Sequence, residues 1–348
     1  MGKLYSSSPV NIALLYPGQL HTCSGGYIYN RSLLAALRKR ELKVIDLSID
    51  NKTPSQLATI LEKQRISFLI QDSLAYSALT PLNLILRQSP TISILGLIHN
   101  IHSHLDHSAY SLTAEQEYLN TLNGLICVSD TIASAISSLN AEPKPCLVLN
   151  PGRPHSAPAC SSERQNSESL KLICVAHLLP PKRQLELIQA LAKIHEIDWQ
   201  LTLVGSMMLD RNYTRKIQQE IQHHQLTSKV TCLGEVSRED LSVLYPQQDI
   251  LVQPSQFESF GLVLLEAFQF GIPVVSFAEG EPKQFIKNGE TGFWYPELSH
   301  LSQALAELSS PNIRNRMSEA CYQQHLRWPS WSVQAERLEN FMQTFLQS

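Results

Sequence analysis

Short apolar runs alternate along this chain with longer stretches of helical periodicity. The runs are rich in Val, Ile and Leu, and in the first part of the chain they cover residues 10–16, 44–47, 66–71, 91–98, 124–128 and 146–149. A second set covers residues 171–176, 199–205, 229–234, 249–254 and 273–277. Buried strands that alternate with helices are typical of parallel sheets with crossover helices. The pattern therefore predicts an α/β protein with doubly wound parallel sheets.

The periodicity stops between the two sets of runs. Residues 153–169 are rich in proline, serine and other polar residues, as an interdomain linker is. The chain has 348 residues, which is more than a single core usually organises. We therefore predict a first domain over 1–152 and a second over 170–328. An amphipathic helical segment over 329–348 follows, with Leu338, Phe341, Met342 and Phe345 on its apolar stripe.

The composition of the chain argues against several classes of function. Charged residues make up 17% of the chain, hydrophobic residues 43%, and the net charge is −3, which gives no argument for nucleic-acid binding. No apolar run reaches the roughly 18 residues of a membrane span, and the first residues lack the apolar segment of a signal peptide. The seven cysteines occur singly, as buried thiols do in a reducing compartment. We expect a cytoplasmic protein.

Two glutamates flank a turn after the predicted strand 249–254. Glu258 and Glu266 lie eight positions apart, and the turn at Phe260-Gly261-Leu262 between them opens an apolar helix. In a parallel sheet this loop lies at the carboxyl end of a strand, where such sheets bind ligands. Unpaired amides at the helix start attract phosphate or sugar oxygens, and carboxylates accept hydrogen bonds from hydroxyls. A surface charge is the alternative for each glutamate, but Glu266 interrupts an otherwise apolar helix.

This segment resembles the donor-binding signature of family 4 of the retaining glycosyltransferases, which carry two glutamates separated by seven residues. The resemblance continues through 271–275 and 288–293. It implies two Rossmann-like domains facing a cleft, of the GT-B type, with a C-terminal helix crossing back to the first domain. The first domain would bind the acceptor and the second the nucleotide sugar. The implied activity is retaining transfer of a sugar from a nucleotide diphosphate sugar to a hydroxyl of a lipid, glycan or small molecule.

The resemblance also implies roles for individual residues. Glu266 would hold the ribose, Glu258 the donor sugar, and Lys182 the diphosphate. The family pattern places an arginine five positions before this lysine, but His177 stands there, and Arg183 is a candidate substitute. The predicted catalytic residues are Glu258, His99 and Lys182. The predicted donor-binding residues are Gly25, Gly26, His177, Lys182, Arg183, Phe260, Gly261, Leu262 and Glu266.

Two of these predictions concern the first domain. Gly25 and Gly26 follow the first strand and resemble the family's glycine-rich loop, although a plain tight turn explains two glycines equally well. His99 follows the run 91–98 and therefore leaves the sheet at a carboxyl end. The resemblance places a histidine there beside the reacting carbon. The alternative is a strand-end histidine that is bonded to backbone.

Neither a metal nor a cofactor beyond the donor is predicted. The tract from His99 to His107 contains four histidines and an aspartate, but its spacing matches no helical ligand pair, and an acceptor-side loop is the preferred interpretation. The predicted helix over 30–43 carries five basic residues around an apolar stripe. A helix packed on its sheet is the default, and contact with the inner face of a membrane is a hypothesis.

Three other functions compete with a transferase. A non-catalytic nucleotide-sugar binding protein is one, because His177 replaces the expected arginine. A phosphorylase-like enzyme that uses inorganic phosphate is another. An oxidoreductase fits worst, since neither half has Gly-x-Gly-x-x-Gly after its first strand.

Overall fold

The computed structural model describes residues 10–88, 91–101, 109–139, 142–153 and 169–346. The chain divides into two compact units. The first runs to Pro154 and resumes at Pro329, and the second ends at Trp328. Each unit is built on one six-stranded sheet, and all strands that pair within these sheets are parallel. The predicted α/β class with two Rossmann-like sheets is confirmed.

The first unit contains the sheet order β2-β1-β3-β4-β5-β6. Its strands are β1 Asn11–Tyr16, β2 Lys43–Ser48, β3 Phe68–Asp72, β4 Ser93–Ile98, β5 Gly124–Cys127 and β6 Cys146–Val148. Its helices before the second unit are α1 Gly25–Lys39, α2 Pro54–Lys63, α3 Tyr76–Leu86, α4 Ala109–Asn120 and α5 Asp130–Ser137. The order of strands reverses between β1 and β3, so the loops that leave these two strands diverge there.

The second unit contains the sheet order β14-β12-β10-β7-β8-β9, and β11 and β13 form a separate two-stranded sheet. Its strands are β7 Leu170–Val175, β8 Trp199–Val204, β9 Val230–Gly234, β10 Ile250–Gln253, β11 Phe257–Glu258, β12 Val274–Ser276, β13 Glu279–Gly280 and β14 Gly292–Trp294. Its helices are α6 Gln184–Leu191, α7 Arg211–His223, α8 Arg238–Leu244, α9 Leu262–Gln269, α10 Pro282–Phe285, α11 Leu301–Leu308 and α12 Pro311–Arg327.

Helices cover both faces of the second sheet, which explains why its central strands β10 and β12 are buried along their whole length. Leu172 and the next residue, Ile173, are both fully buried but belong to different apolar clusters. Successive strand residues point to opposite faces, so each cluster lies on one face. One cluster contains Trp199 and the other Phe268. Because the central strands are buried on both faces, packing fixes the positions of their ends and of the loops that follow them.

The last helix, α13 (Trp331–Thr344), belongs to the first unit. Leu338 and Met342 of its apolar stripe are buried, at 0% and 2% exposed, whereas Phe341 and Phe345 are partly exposed. Gln334 Nε2 donates to the carbonyl of Asn150 at 2.8 Å, and Arg337 donates to the carbonyl of Val148 at 2.9 Å. The helix therefore caps the edge of the first sheet beyond β6.

The first helix differs from its prediction at both ends. It begins at Gly25, so both glycines lie in its first turn and not in a loop, and Lys43 lies in β2. The basic residues near its end have protein partners, since Arg38 pairs with Asp46 and Arg40 with Glu339. These pairs weaken the case for a basic face that contacts a membrane.

Parts of three predictions remain outside the described residues. Residues 102–108 of the histidine tract and 154–168 of the predicted linker are among them, as are the first nine residues. In the part of the chain that the structure describes, no helix combines the length and the apolar character that crossing a membrane requires.

Candidate functional site

The loops after β7 and β10 leave the second sheet at its switch point. Leu172 of β7 pairs with Ile250 of β10, while β8 flanks β7 and β12 flanks β10. Chain connections diverge at such a point and leave a crevice outside the carboxyl ends of the two strands. Lys182 lies in the loop that follows β7, and Glu258 lies in the loop that follows β10.

Lys182 and Glu258 form an ion pair. The distance from Nζ to Oε1 is 2.5 Å, and the two side chains are 29% and 16% exposed. The backbone supports this contact, because the amide of Gln256 donates to the carbonyl of Pro181 at 2.8 Å. A cation and a carboxylate, both partly desolvated, are thus held at the carboxyl edge of the sheet.

Glu258 is also fixed from the side of β12. It lies in β11, which pairs with β13 through Glu258 and Gly280, and the amide of Glu281 donates to the carbonyl of Glu258 at 3.1 Å. Gly280 has a φ of +100°, and a Cβ at this residue would lie 2.3 Å from the carbonyl oxygen of Glu258. Only glycine lets the two backbones approach this closely.

Replacing Gly280 with alanine should displace the loop that carries Glu258. We expect the free energy of unfolding to fall by about 1–3 kcal/mol or more, because an unfavourable φ is combined with a backbone clash. Urea unfolding measures this change. Gly289→Ala is the matched control, since Gly289 has a φ of +79° but nothing within 4 Å of its Cβ position. Equal losses in the two variants would show that the approach to Glu258 is not what requires glycine.

Glu266 lies one turn into α9 and has its own partners. Its side chain is 15% exposed; Arg238 donates to Oε1 at 3.1 Å and the Tyr245 hydroxyl donates to Oε2 at 3.1 Å. Burial raises the pKa of Glu266, and Arg238 and Tyr245 oppose that rise. Arg238 and Tyr245 were not predicted from the sequence. Arg238 follows a helix-capping serine, but nothing in its spacing indicates a partner 28 positions away.

The start of α9 presents unpaired amides. Gly261, with a φ of +81°, turns the chain into the helix. Within the described part of the chain, no group accepts a hydrogen bond from the backbone amides of Phe260, Gly261 and Leu262. The Phe260 ring is 3% exposed and packs edge-on to Phe285, so this residue can offer a ligand only its backbone. Amides in this arrangement suit an anionic or oxygen-rich ligand.

His177 and Arg183 do not share a contact with the Lys182–Glu258 pair. His177 Nδ1 accepts a hydrogen bond from the amide of Ser206 at 3.1 Å, which leaves Nε2 as the ring's donor. Arg183 adopts a left-handed conformation with a φ of 54° at the start of α6, and its Nε lies 3.9 Å from Glu186. Neither side chain replaces the arginine that the resemblance implies at this position, whose guanidinium can make bidentate hydrogen bonds.

The first unit holds a separate polar cluster at the carboxyl ends of β3 and β4. His99 Nε2 lies 2.9 Å from Asn30 Oδ1, and Asn30 Nδ2 donates to Asp72 Oδ2 at 2.6 Å. A Cβ added to Gly26 would lie 3.7 Å from the His99 ring. Asn30 and Asp72 were missed by the sequence analysis, although Asp72 directly follows the predicted strand 66–71.

The partners of His99 in this cluster determine which role its Nε2 has in hydrogen bonding. Since Asn30 uses its amide nitrogen on Asp72, its oxygen accepts, and His99 Nε2 must donate. Burial lowers the pKa of His99, and the Asp72 carboxylate at 3.8 Å opposes that shift. His99 Nε2 is therefore bonded to a side chain, that of Asn30. Among the described residues, no cluster of histidine, cysteine and acidic side chains could hold a metal ion.

Comparison with solved structures gives the fold. A sucrose-phosphate synthase from Thermosynechococcus elongatus superposes with a TM-score of 0.85 at 20% identity, covering 97% of this chain and 100% of that one. The Anabaena protein HepE in complex with UDP-glucose superposes with a TM-score of 0.79 at 18% identity, covering 96% and 99%. Two Rossmann-like units with these neighbours define the GT-B class of fold.

The match to a family model lies within the second unit. The model of the family described as glycosyl transferases group 1 matches residues 161–324. N-acetyl-alpha-D-glucosaminyl L-malate synthase from Bacillus anthracis is 35% identical over 129 residues, which is 36% of this chain and 32% of that protein. D-inositol 3-phosphate glycosyltransferase from Pseudarthrobacter chlorophenolicus is 35% identical over 98 residues, which is 28% and 23%. The aligned part spans less than a third of either relative. The match to the glycosyl transferases group 1 model therefore covers just under half of this chain.

Proposed function

We propose that this protein is a retaining glycosyltransferase that moves a sugar from a nucleotide diphosphate sugar to a hydroxyl acceptor. The observation that carries the proposal is the ion pair of Lys182 and Glu258 at the switch point of the second sheet, in the segment that matches the family. A fixed cation there can neutralise the charge that grows on a leaving diphosphate. The proposal therefore assigns this task to Lys182 and not to a metal ion.

The remaining donor contacts follow from the same edge of the second sheet. Glu266 is proposed to accept hydrogen bonds from the ribose hydroxyls, and the amides of Phe260, Gly261 and Leu262 to donate to the donor. Glu258 is proposed to hold the sugar. A carboxylate accepts about four hydrogen bonds, so Glu258 can accept further hydrogen bonds while it contacts Lys182.

The first unit is proposed to bind the acceptor, and His99 to act as a catalytic group. The acceptor is a hydroxyl of a lipid, a glycan or a small molecule. Peripheral membrane contact also stays a prediction, and the ion pairs of Arg38 and Arg40 count against α1 as its surface.

A thermal-shift screen tests the donor site directly. We expect one nucleotide among UDP, ADP and GDP, alone or as its sugar conjugate, to raise the melting temperature. At about 100 times its dissociation constant a ligand stabilises the folded state by about 2.7 kcal/mol. Glu266→Gln should reduce the shift, because the amide keeps one acceptor oxygen where the charged carboxylate has two. The donor assignment is wrong if no nucleotide shifts the wild type.

A non-catalytic nucleotide-sugar binding protein is the second candidate. It is favoured by His177, whose Nδ1 is already engaged by the amide of Ser206 and whose ring offers one donor where the family pattern has an arginine. Release of free sugar from the bound donor separates the two candidates. A transferase should hydrolyse its donor slowly without acceptor, and this hydrolysis should be lost in Lys182→Ala, whereas a binding protein should show nucleotide affinity and no hydrolysis.

A further inference from the structure

Arg238 has a defined place beside Glu266. Ser237 caps α8, because its Oγ accepts a hydrogen bond from the amide of Asp240 at 3.0 Å, and Arg238 is therefore the first residue of the helix. The arginine side chain reaches Glu266 Oε1 at 3.1 Å. Half of Arg238 is exposed, whereas Glu266 is 15% exposed. The contact thus joins a solvent-facing cation to a largely buried carboxylate.

The groups around Glu266 leave it able to bind a ligand. Arg238 approaches one carboxylate oxygen from α8, and the hydroxyl of Tyr245 approaches the other from the turn that follows α8. Tyr245 is 1% exposed and stacks on Phe270 at 5.4 Å, so packing restricts the movement of its hydroxyl. A carboxylate accepts about four hydrogen bonds, and these two donors leave about two for other hydroxyls.

Burial disfavours the charged form of Glu266, which is the form that accepts hydrogen bonds from hydroxyls on both oxygens. A buried carboxyl favours its protonated form, and a protonated oxygen donates a hydrogen bond where it should accept one. A cation within hydrogen-bond distance restores the charged form and also limits rotation of the carboxylate. Arg238 is the cation in contact with Glu266, and the neutral Tyr245 hydroxyl supplies no charge.

We propose that Arg238 is a positioning residue for the ribose of the donor, which acts by keeping the Glu266 carboxylate charged and oriented toward two vicinal hydroxyls. The proposal rests on the proposed function, because it requires Glu266 to bind the ribose. It adds a residue on α8 to the donor site. Arg238 itself need not touch the nucleotide.

The sign of the pH effect follows from the two opposing influences. Burial raises the pKa of Glu266 and Arg238 lowers it. Removing Arg238 therefore raises the pKa of Glu266 further, and the carboxyl becomes protonated at a higher pH than in the wild type. Nucleotide affinity that depends on the carboxylate should then fall at a higher pH as the solution is acidified.

Calorimetric titration with UDP, ADP and GDP between pH 5.5 and 8.5 tests the proposal on the full chain. The variants are Arg238→Gln, Arg238→Lys and Glu266→Gln. Arg211→Gln is the matched control, because Arg211 is also the first residue of a helix with a side-chain cap, and it lies exposed on α7. We expect Arg238→Gln to weaken binding of the preferred nucleotide by about tenfold at neutral pH and to shift the acid limb upward. Arg238→Lys should restore part of both.

Each outcome has a separate meaning. Wild-type affinity with an unmoved acid limb in Arg238→Gln overturns the positioning role, and tighter binding shows that Arg238 blocks the carboxylate. If affinity is lost equally in Arg238→Gln and Arg238→Lys, and if the loss does not depend on pH, the role of Arg238 is purely structural. This outcome also overturns the positioning role. If the wild type binds none of the three nucleotides, or if Glu266→Gln keeps the wild-type affinity, the proposed function on which the role of Arg238 rests is overturned instead.

Discussion

Sugar transfer should fall by a factor of about 10²–10³ when Lys182 is replaced with alanine. The lysine faces Glu258 at 2.5 Å in a partly desolvated site, so its charge acts on the leaving diphosphate with little screening by water. Glu258→Gln should lower the rate as well, because it leaves Lys182 without its carboxylate. Initial rates at saturating donor, with the donor that the screen identifies, measure both effects.

The double variant and an exposed pair supply the controls. Since Lys182 and Glu258 share one contact, the losses in Lys182→Ala/Glu258→Gln should be smaller than the product of the single losses. Lys287→Ala breaks a surface pair with Glu290, whose side chains are 60% and 65% exposed, and should leave the rate unchanged. A rate within twofold of the wild type in Lys182→Ala would contradict the assigned role.

Leu338→Ala should lower the free energy of unfolding of the first unit by about 2–5 kcal/mol. Leu338 is 0% exposed on the buried stripe of α13, and its removal leaves a cavity between that helix and the rest of the first unit. Hydrogen exchange followed by mass spectrometry can locate the loss. Protection should fall in residues 10–153 and 331–346 before it falls in residues 169–328.

The same helix provides a matched control for that experiment. Val333 is 44% exposed on α13, and Val333→Ala removes methyl groups without opening a cavity. We expect a change within about 0.5 kcal/mol. Equal loss of protection in both units after Leu338→Ala would show that the two units unfold as one body.

Burial of whole strands made the fold predictable, and helix ends were harder. The run 249–254 contains β10, whose residues are all buried, and only a core position explains such a run. The predicted start of α1 was wrong by five residues, because glycine disfavours helix interiors and Gly25 and Gly26 were placed in a loop. The first turn tolerates glycine better, since its amides lack helical partners in any case.

The candidate site was predictable where spacing along the chain carries the information. Glu258 and Glu266 are linked by one turn and one helix, so a local pattern indicates them. Arg238 and Tyr245 reach Glu266 from a segment more than twenty residues earlier in the chain, and no local pattern encodes that contact. The pairing of β11 with β13 was also missed, because two-residue strands are too short to show any periodicity.

The discontinuity of the first unit has a consequence for biosynthesis. All six strands of the second sheet lie before Trp328 and are synthesised before α13, whereas the first unit lacks one of its helices until the whole second unit has been synthesised. Domains usually complete their folding in the order in which they leave the ribosome. Here the order is reversed: the second unit can reach its final structure while the nascent first unit still exposes the apolar surface that α13 will cover.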